Sequence, residues 1–303
     1  MVNIIGRKNL FLGISGAIVL GSILCMAVFG FRQGIDFSGG ALWRFKTGSQ
    51  APSAQVLETF FVADLGIRDA RITYDGASQS FLARLSAAGE ADHQKFRIRL
   101  AAKYPGFSEL SFQSIGPSVG ADLRNKALIA IALVLVGISL YIAFAFRKVY
   151  RPVSSWKYGL ITLLTLVHDV AIPAGFLAIL GKYQGVEIDG NFIVALLVIM
   201  GFSVHDTIVV FDRIRENLSL DRGKTEFGAM VNHSVNQTIA RSVNTSLTLI
   251  LVLLALYFAG PVGLHYFVLT LLLGVTAGIY SSIFVASPLL VVWHNFSSRN
   301  GNR

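Results

Sequence analysis

The 303-residue sequence predicts an α-helical polytopic membrane protein. It has six transmembrane helices and one extracytoplasmic α+β domain, ferredoxin-like in its order, between the first and second helices. Three observations carry this prediction. Hydrophobic residues make up 53% of the chain and charged residues only 14%, against roughly 25% charged in an ordinary soluble domain. The apolar residues fall in long blocks, several exceeding the ~18 residues that mark a membrane-spanning helix. Between the first and second blocks lies a stretch of soluble composition with alternating strand and helix signals.

The first apolar run covers Leu10 to Phe31, preceded by Arg7 and Lys8. A basic start and an apolar stretch also describe a signal peptide. This run is too long for a typical signal core, however, and no Ala-x-Ala site closes it. Leu24-Cys25 is a poor lipoprotein site, because Leu directly precedes the Cys. An uncleaved anchor is expected over residues 1–31.

Residues 32–124 form the predicted extracytoplasmic domain. Ala41 to Phe45 reads as a strand, and Ser53 to Ala63 as a helix with Ser53 as its N-cap. Arg68 to Tyr74 and Gln79 to Leu85 read as two strands joined around Asp75-Gly76, a hairpin signal. Ala91 to Lys103 is a second helix, broken by Tyr104-Pro105-Gly106, and Glu109 to Ile115 is a last strand. The order β-α-β-β-α-β is that of a small ferredoxin-like domain.

Residues 125–303 hold the other five helices and the cytoplasmic C-terminus. Spans are placed at Ala127–Phe146, Tyr158–Leu180, Asn191–Phe211, Val243–Ala259 and Leu264–Trp293, the last bending or ending at Ser287-Pro288. The short loops set the orientation. Arg7 and Lys8, then Arg147, Lys148, Arg151 and Lys157, then Arg213, Arg215, Arg222 and Lys224 mark one side. On the other, Lys182 accompanies Glu187 and Asp189, and Gly260-Pro261-Val262-Gly263 is uncharged. The positive-inside rule puts both termini in the cytoplasm and the domain outside. The formal charge of +9 therefore reads as topology rather than as a nucleic-acid surface. Cys25 is the one cysteine, so an intrachain disulfide is impossible. No Cys/His cluster has metal-ligand spacing, and neither metal nor cofactor is expected.

A charge buried in a bilayer costs at least ~2.5–3.5 kcal/mol on insertion scales, so it is usually paired or functional. His168-Asp169 falls near the middle of the third span. His205-Asp206 falls in the cytoplasmic half of the fourth, within Gly201-Phe202-Ser203-Val204-His205-Asp206-Thr207. Arg241 opens the expected fifth span, followed by Ser242, Asn244, Thr245 and Ser246. The fourth span runs inward and the fifth starts at the cytoplasmic face, so Asp206 and Arg241 are expected at comparable depth. An Asp that a proton can neutralise, beside an Arg that keeps its charge, makes a two-state electrostatic switch. Each proton crossing the membrane releases about 2.3 kcal/mol per 100 mV, enough to bias a conformational equilibrium. The alternative is a static interhelical pair that only orients the bundle. Asp169 is open to both descriptions. His168 and His205 are candidate proton carriers, since imidazole titrates near neutrality, or plain hydrogen-bond partners. Arg241 can also snorkel to the interface. An enzyme is not expected: adjacent His and Asp point about 100° apart on a helix, no nucleophile motif accompanies them, and neither Asp has an intramembrane-protease setting.

At these residues the sequence resembles the SecF family, membrane subunits that work with SecD beside the SecYEG translocon. Gly34-Ile35-Asp36-Phe37-Ser38-Gly39-Gly40 is similar to that family's signature at the domain entrance. His168-Asp169-Val170 matches its third-span motif. The segment from Gly201 to Thr207, continuing through Val209-Val210-Phe211-Asp212-Arg213-Ile214-Arg215-Glu216-Asn217, is the most specific match. Gln237-Thr238, Arg241-Ser242 and Thr245-Ser246 match the start of the fifth span, and Ser281-Ser282-Ile283 the sixth. The family pattern has Asn where this chain has His205.

The resemblance implies a half-transporter of the resistance-nodulation-division type in a bacterial cell (inner) membrane, its six spans pairing with six from SecD. The external domain would help draw preprotein through SecYEG, driven by the proton gradient. Asp206 and Arg241 would be the coupling pair, with Asp169 in support. His205, His168, Ser203, Thr207 and Asn244 would be relay or hydrogen-bond partners, and Gly34, Asp36, Phe37, Gly39 and Gly40 would form the entrance motif. A proton-coupled exporter of small molecules or lipids in the same superfamily is the alternative. A scaffold whose polar pairs only hold helices together is a third.

Overall fold

The computed structural model describes residues 2–48, 52–67, 69–76, 78–86, 89–146, 154–221 and 224–301. Most of them are helical. Six helices of 25 to 33 residues are long and apolar enough to cross a membrane, and one small antiparallel sheet accompanies them. The chain divides into two compact units: Gln33–Leu128, and Met1–Arg32 together with Ile129–Arg303.

The smaller unit opens with a four-residue helix, α2, over Ile35–Ser38, following the long first helix α1 (Lys8–Phe29). Then come β1 (Gly40–Lys46), α3 (Ala54–Ala63), β2 (Arg71–Asp75), β3 (Ser80–Leu85), α4 (Glu90–Lys103) and β4 (Ser108–Ile115). The sheet order is β2-β3-β1-β4 with every pairing antiparallel. Strand alternation puts Ala41, Trp43 and Phe45 of the central strand on one face, where they are fully buried with Leu57 and Phe61 of α3 and Leu100 of α4. Ser53 caps α3 as expected, its hydroxyl accepting from the Val56 amide at 3.3 Å. Glu90 and Asp92 lie in the first turn of α4 and Lys103 in its last, each the charge that the helix dipole favours.

The hairpin departs from expectation. Asp75 pairs with Ser80, so four residues connect the strands, and Gln79 takes φ +49° in the turn instead of starting β3. A Ser78 hydroxyl bond to the Asp75 carboxylate at 2.6 Å closes this longer loop. Arg68, the expected start of β2, lies outside the described residues, as do Arg147, Lys148, Arg151 and Arg222 of the basic loops.

The entrance motif has a steric explanation. Gly39 (φ +73°) and Gly40 (φ +123°) adopt backbone that side-chain-bearing residues rarely reach. A Cβ on Gly39 would come 2.8 Å from the Pro117 Cα, and one on Gly40 2.7 Å from the Leu85 carbonyl. Gly34 precedes α2, Asp36 lies in its first turn, and Phe37 is buried.

The remaining helices are α5 (Pro117–Ala145), α6 (Ser155–Gln184), α7 (Gly190–Asp221), α8 (Phe227–Ala259), α9 (His265–Ser281) and α10 (Ser287–Gly301). α9 and α10 together make the last span, and each of these spans extends past its apolar block, the last running to Gly301 beyond Trp293. A 33-residue helix is about 50 Å long, against ~30 Å of hydrocarbon. The largest difference is in α8, which starts at Phe227 instead of Val243. Its first half is polar, and its amides and hydroxyls pair with neighbours: Asn217 with Ser234 at 2.8 Å and Arg213 with Gln237 at 2.7 Å. Hydropathy reads only the apolar half of such a helix.

The sixth span neither ends nor breaks at Pro288. Five residues of π-helix, Ser282–Ala286, join α9 to α10. A proline blocks the carbonyl four residues before it and donates no amide, and a wider turn just upstream absorbs that mismatch within a continuous helix.

Close approach of α7 and α9 sets the interior. Gly274 and Gly278 lie four apart on one face of α9. A Cβ at Gly274 would meet Ile199 Cδ1 at 2.2 Å, and one at Gly278 would meet the Ser203 Cβ at 3.3 Å. Small residues at this spacing let two helix backbones come together, and the polar site lies just beyond them.

Candidate functional site

Four helical segments converge on two carboxylates. Asp169 comes from the middle of α6 and is fully buried. Its Oδ2 accepts hydrogen bonds from Ser203 of α7 and from Ser281 at the end of α9, the latter at 2.8 Å. Its Oδ1 lies 2.8 Å from Nδ1 of His168. Asp206, on α7 and 6% exposed, accepts from Ser282 Oγ at 2.5 Å. Ser281 and Ser282 are consecutive and stand where α9 gives way to the π-turn. On a regular helix neighbouring side chains diverge by about 100°. The widened turn starts between these two serines and allows them to serve carboxylates on two different helices.

The two aspartates differ in how well they are held. Two serine hydroxyls and a ring nitrogen of His168, three partners in all, surround Asp169. Among the described residues Asp206 has one. A carboxylate with fewer fixed partners loses less on being neutralised or re-paired.

Arg241 does not pair with Asp206. Among the described residues no ion pair joins them, and Arg241 lies exposed on the outer face of α8 while the next residue, Ser242, is buried. The polar bonds between Asn217 and Ser234 and between Arg213 and Gln237 set the antiparallel register of α7 and α8. Extended along both helices, that register sets Asp206 level with Asn244, about one turn from Arg241. Arg241 lies within α8 and does not open it. Asp206 and Arg241 are thus at comparable depth to within about one turn, and the pairing fails because Arg241 is exposed.

Two further expectations change. His168-Asp169 and His205-Asp206 do not belong to separate depths, since adjacent serines hold both carboxylates. His168 and Asp169 touch at 2.8 Å despite the roughly 100° between neighbouring residues. The other four residues also part company: His205 and Asn244 are exposed, whereas Ser203 and Thr207 are buried. Among the described residues Thr207 Oγ1 has no partner, and the same holds for the hydroxyls of Ser242 and Ser246, buried on α8. Among the described residues no cluster of His, Cys, Asp and Glu is arranged for a metal ion.

Ser281 and Ser282 are the site residues that hydropathy and charge passed over. Their signal was an adjacent pair of hydroxyls inside an apolar span, close before a proline.

Comparison with known proteins agrees with this architecture. The family model described as protein export membrane protein SecD/SecF, C-terminal, matches residues 97–296. The protein translocase subunit SecF of Thermobaculum terrenum is 42% identical, over 97% of this chain and 95% of the relative. That of Anaerolinea thermophila is 36% identical, over 99% and 96%. The translocase subunit SecDF of Thermus thermophilus is 37% identical over 93% of this chain but only 37% of its own length. The crystal structure of SecDF, a translocon-associated membrane protein from that organism, superposes with a TM-score of 0.83 at 33% identity, covering 97% of this chain and 39% of that one. This chain thus spans about two fifths of the fused protein and nearly all of the separate subunits. With polar residues converging inside six apolar helices and sequence likeness along almost the whole length, the chain belongs to the SecF family of protein translocase subunits.

Proposed function

We propose that this chain is the SecF half of a proton-driven SecD–SecF pair that promotes preprotein translocation through SecYEG, with Asp206, Arg241 and Asp169 as its coupling residues. Its place is the bacterial cell membrane, with both termini cytoplasmic. Residues 1–31 form the N-terminus and first span, 32–124 an extracytoplasmic ferredoxin-like domain, and 125–303 the five-helix membrane domain. The strand order β2-β3-β1-β4 and the β-α-β-β-α-β sequence of elements support the ferredoxin-like description. The chemistry is that of a transporter, with no enzymatic step.

The observation that carries this reading is the pair of buried carboxylates tied to consecutive serines. Buried carboxylates in a span are costly unless they serve a purpose. Here the two share one irregular turn, so neutralising either one changes what holds that turn. His168 and Ser203 support Asp169, while Thr207 and Asn244 border Asp206. The entrance glycines, with Asp36 and Phe37, shape the chain where the domain begins. Exposed His205, Arg241 and Asn244 within apolar helices support a covering membrane partner, since lipid offers such groups no hydrogen bonds. SecDF, in which a SecF-like part is fused within one chain, supports SecD as that partner.

Asp206→Asn tests the assignment directly. The variant is expected to insert and to assemble with SecD, yet to lose proton-gradient stimulation of secretion. Export that responds to the gradient as before would remove Asp206 from the coupling role. Copurification of the native membrane complex tests the partner, with a homo-oligomer lacking SecD favouring an independent exporter.

A further inference from the structure

Beyond the coupling pair, one buried titratable group is left half-satisfied. His168 is 4% exposed, and its Nδ1 is engaged with Asp169. Its Nε2 is buried and has no hydrogen-bond partner among the described residues. Thr162 and Thr165 on the same helix meet their needs locally, donating to the carbonyls of Tyr158 and Thr162. Among the described residues the Nε2 of His168 has no such local acceptor or donor. A buried polar atom left unmade costs about 1–3 kcal/mol, and native proteins commonly satisfy such atoms with ordered water.

A stacked tyrosine links this residue to α1. The imidazole lies nearly parallel to the ring of Tyr280, with centroids 6.1 Å apart and planes at 17°. The Tyr280 hydroxyl accepts from Ser15 of α1 at 3.2 Å. The same hydroxyl donates to the Phe11 carbonyl of α1 at 3.5 Å. Among the described residues the titratable groups near the ring are Asp169, Tyr280 and, beyond Ser282, Asp206. α1 carries no charge after Lys8.

We propose that an ordered water binds Nε2 of His168 and that His168 passes protons between that water and Asp169, giving Asp169 a proton-exchange path on the α1 side of the bundle. This rests on Asp169 being a coupling residue. The transfer is balanced. A hydronium at the water site gives its proton to Nε2 and becomes water. The Nδ1–H proton moves to Oδ1 of the Asp169 carboxylate, which becomes a neutral acid. The imidazole is neutral before and after, changed only from the Nδ1–H to the Nε2–H tautomer. The reverse transfer empties Asp169 and restores the first tautomer. Serine donors on Oδ2 remain in place throughout, so exchange at Oδ1 does not require the helices to separate.

The experiment uses the full chain with SecD in proteoliposomes and has two arms. In the unaltered protein labelled with 15N-histidine, water-edited magnetic resonance is expected to show transfer from water to His168 Nε2, assigned by its loss in His168→Gln. In the transport arm, His168→Gln keeps an N–H donor for Asp169 but cannot carry a proton. Its gradient-stimulated translocation is expected to fall about a hundredfold, the low end of acid–base relay effects, with a flattened pH profile. No water transfer to Nε2, or a wild-type gradient response in His168→Gln when Asp169→Asn has lost it, overturns the relay and leaves Asp169 as a coupling residue. A wild-type response in Asp169→Asn overturns the coupling assignment itself, and the relay with it. Where His168→Gln fails to assemble with SecD, the water-edited spectrum alone decides.

Discussion

Gly274→Ala tests whether the α7–α9 contact builds the site. The added Cβ would come within 2.2 Å of Ile199 Cδ1, 2.5 Å of Cγ1 and 2.9 Å of Cγ2. Favourable carbon contacts lie at about 3.5–4.0 Å, so three atoms of one side chain overlap the new methyl by about 0.6–1.3 Å. A rotamer change does not relieve this, because Cγ1 and Cγ2 branch from the same carbon and Ile199 is fully buried. Either the helices part or Ile199 is forced off its rotamer. Overpacking of this kind typically costs 1–3 kcal/mol. Thermal unfolding of the purified chain in nanodiscs should register a loss in that range. Because Ser203 lies one turn beyond Ile199 and Ser281 one heptad beyond Gly274, the same variant should weaken the gradient response. Ile199→Ala leaves a cavity when made alone. Combined with Gly274→Ala it should recover stability, with a coupling energy of about 0.5–3 kcal/mol. A stable Gly274→Ala, or a double variant whose losses simply add, would refute the packing argument.

Three further outcomes can be checked. Ser282→Ala removes the one described donor to Asp206 and should reduce gradient-stimulated export more than Ser281→Ala, which leaves Asp169 with Ser203 and His168; a hydrogen bond to a charged group is worth about 1.5–3 kcal/mol, and equal effects would count against the contrast. Gly40→Ala sets a methyl 2.7 Å from the Leu85 carbonyl at φ +123°, and should make residues 33–128 markedly more protease-sensitive in the full chain, whereas Gly76→Ala, which meets nothing within 4 Å, should not. Trp43→Ala empties the largest fully buried side chain of the domain and should cost about 3–5 kcal/mol, read from the unfolding transition of the domain.

Much of the fold was legible because its causes are local. The Ser53 cap, the acidic start of α4 and the alternation that buries Trp43 and Phe45 are written in neighbouring residues. The hairpin was half legible: Asp75-Gly76 marked the turn, but the Asp75–Ser78 side-chain bond chose a longer loop. The start of α8 was not legible. Its polar first half is satisfied by partners on α7 and by the segment near Val2, whose amide bonds to Asn236 at 2.8 Å, and no hydropathy window reports a partner more than 200 residues away.

The sequence by itself determined that six segments are long and apolar enough to cross a membrane, that a small α/β domain interrupts the series after the first of them, and which ionisable residues lie among apolar ones. Length and composition suffice for that, because bilayer thickness and the cost of burying charge act on any helix alike. The tertiary structure decided which groups meet. Asp169 finds Ser281 across 112 residues, and Asp206 finds Ser282 across 76. Arg241, for all its sequence promise, faces outward. Those outcomes follow from a glycine-tight contact between α7 and α9 and from a π-turn ahead of a proline. Both are properties of packed helices, and neither exists in the chain until the helices come together.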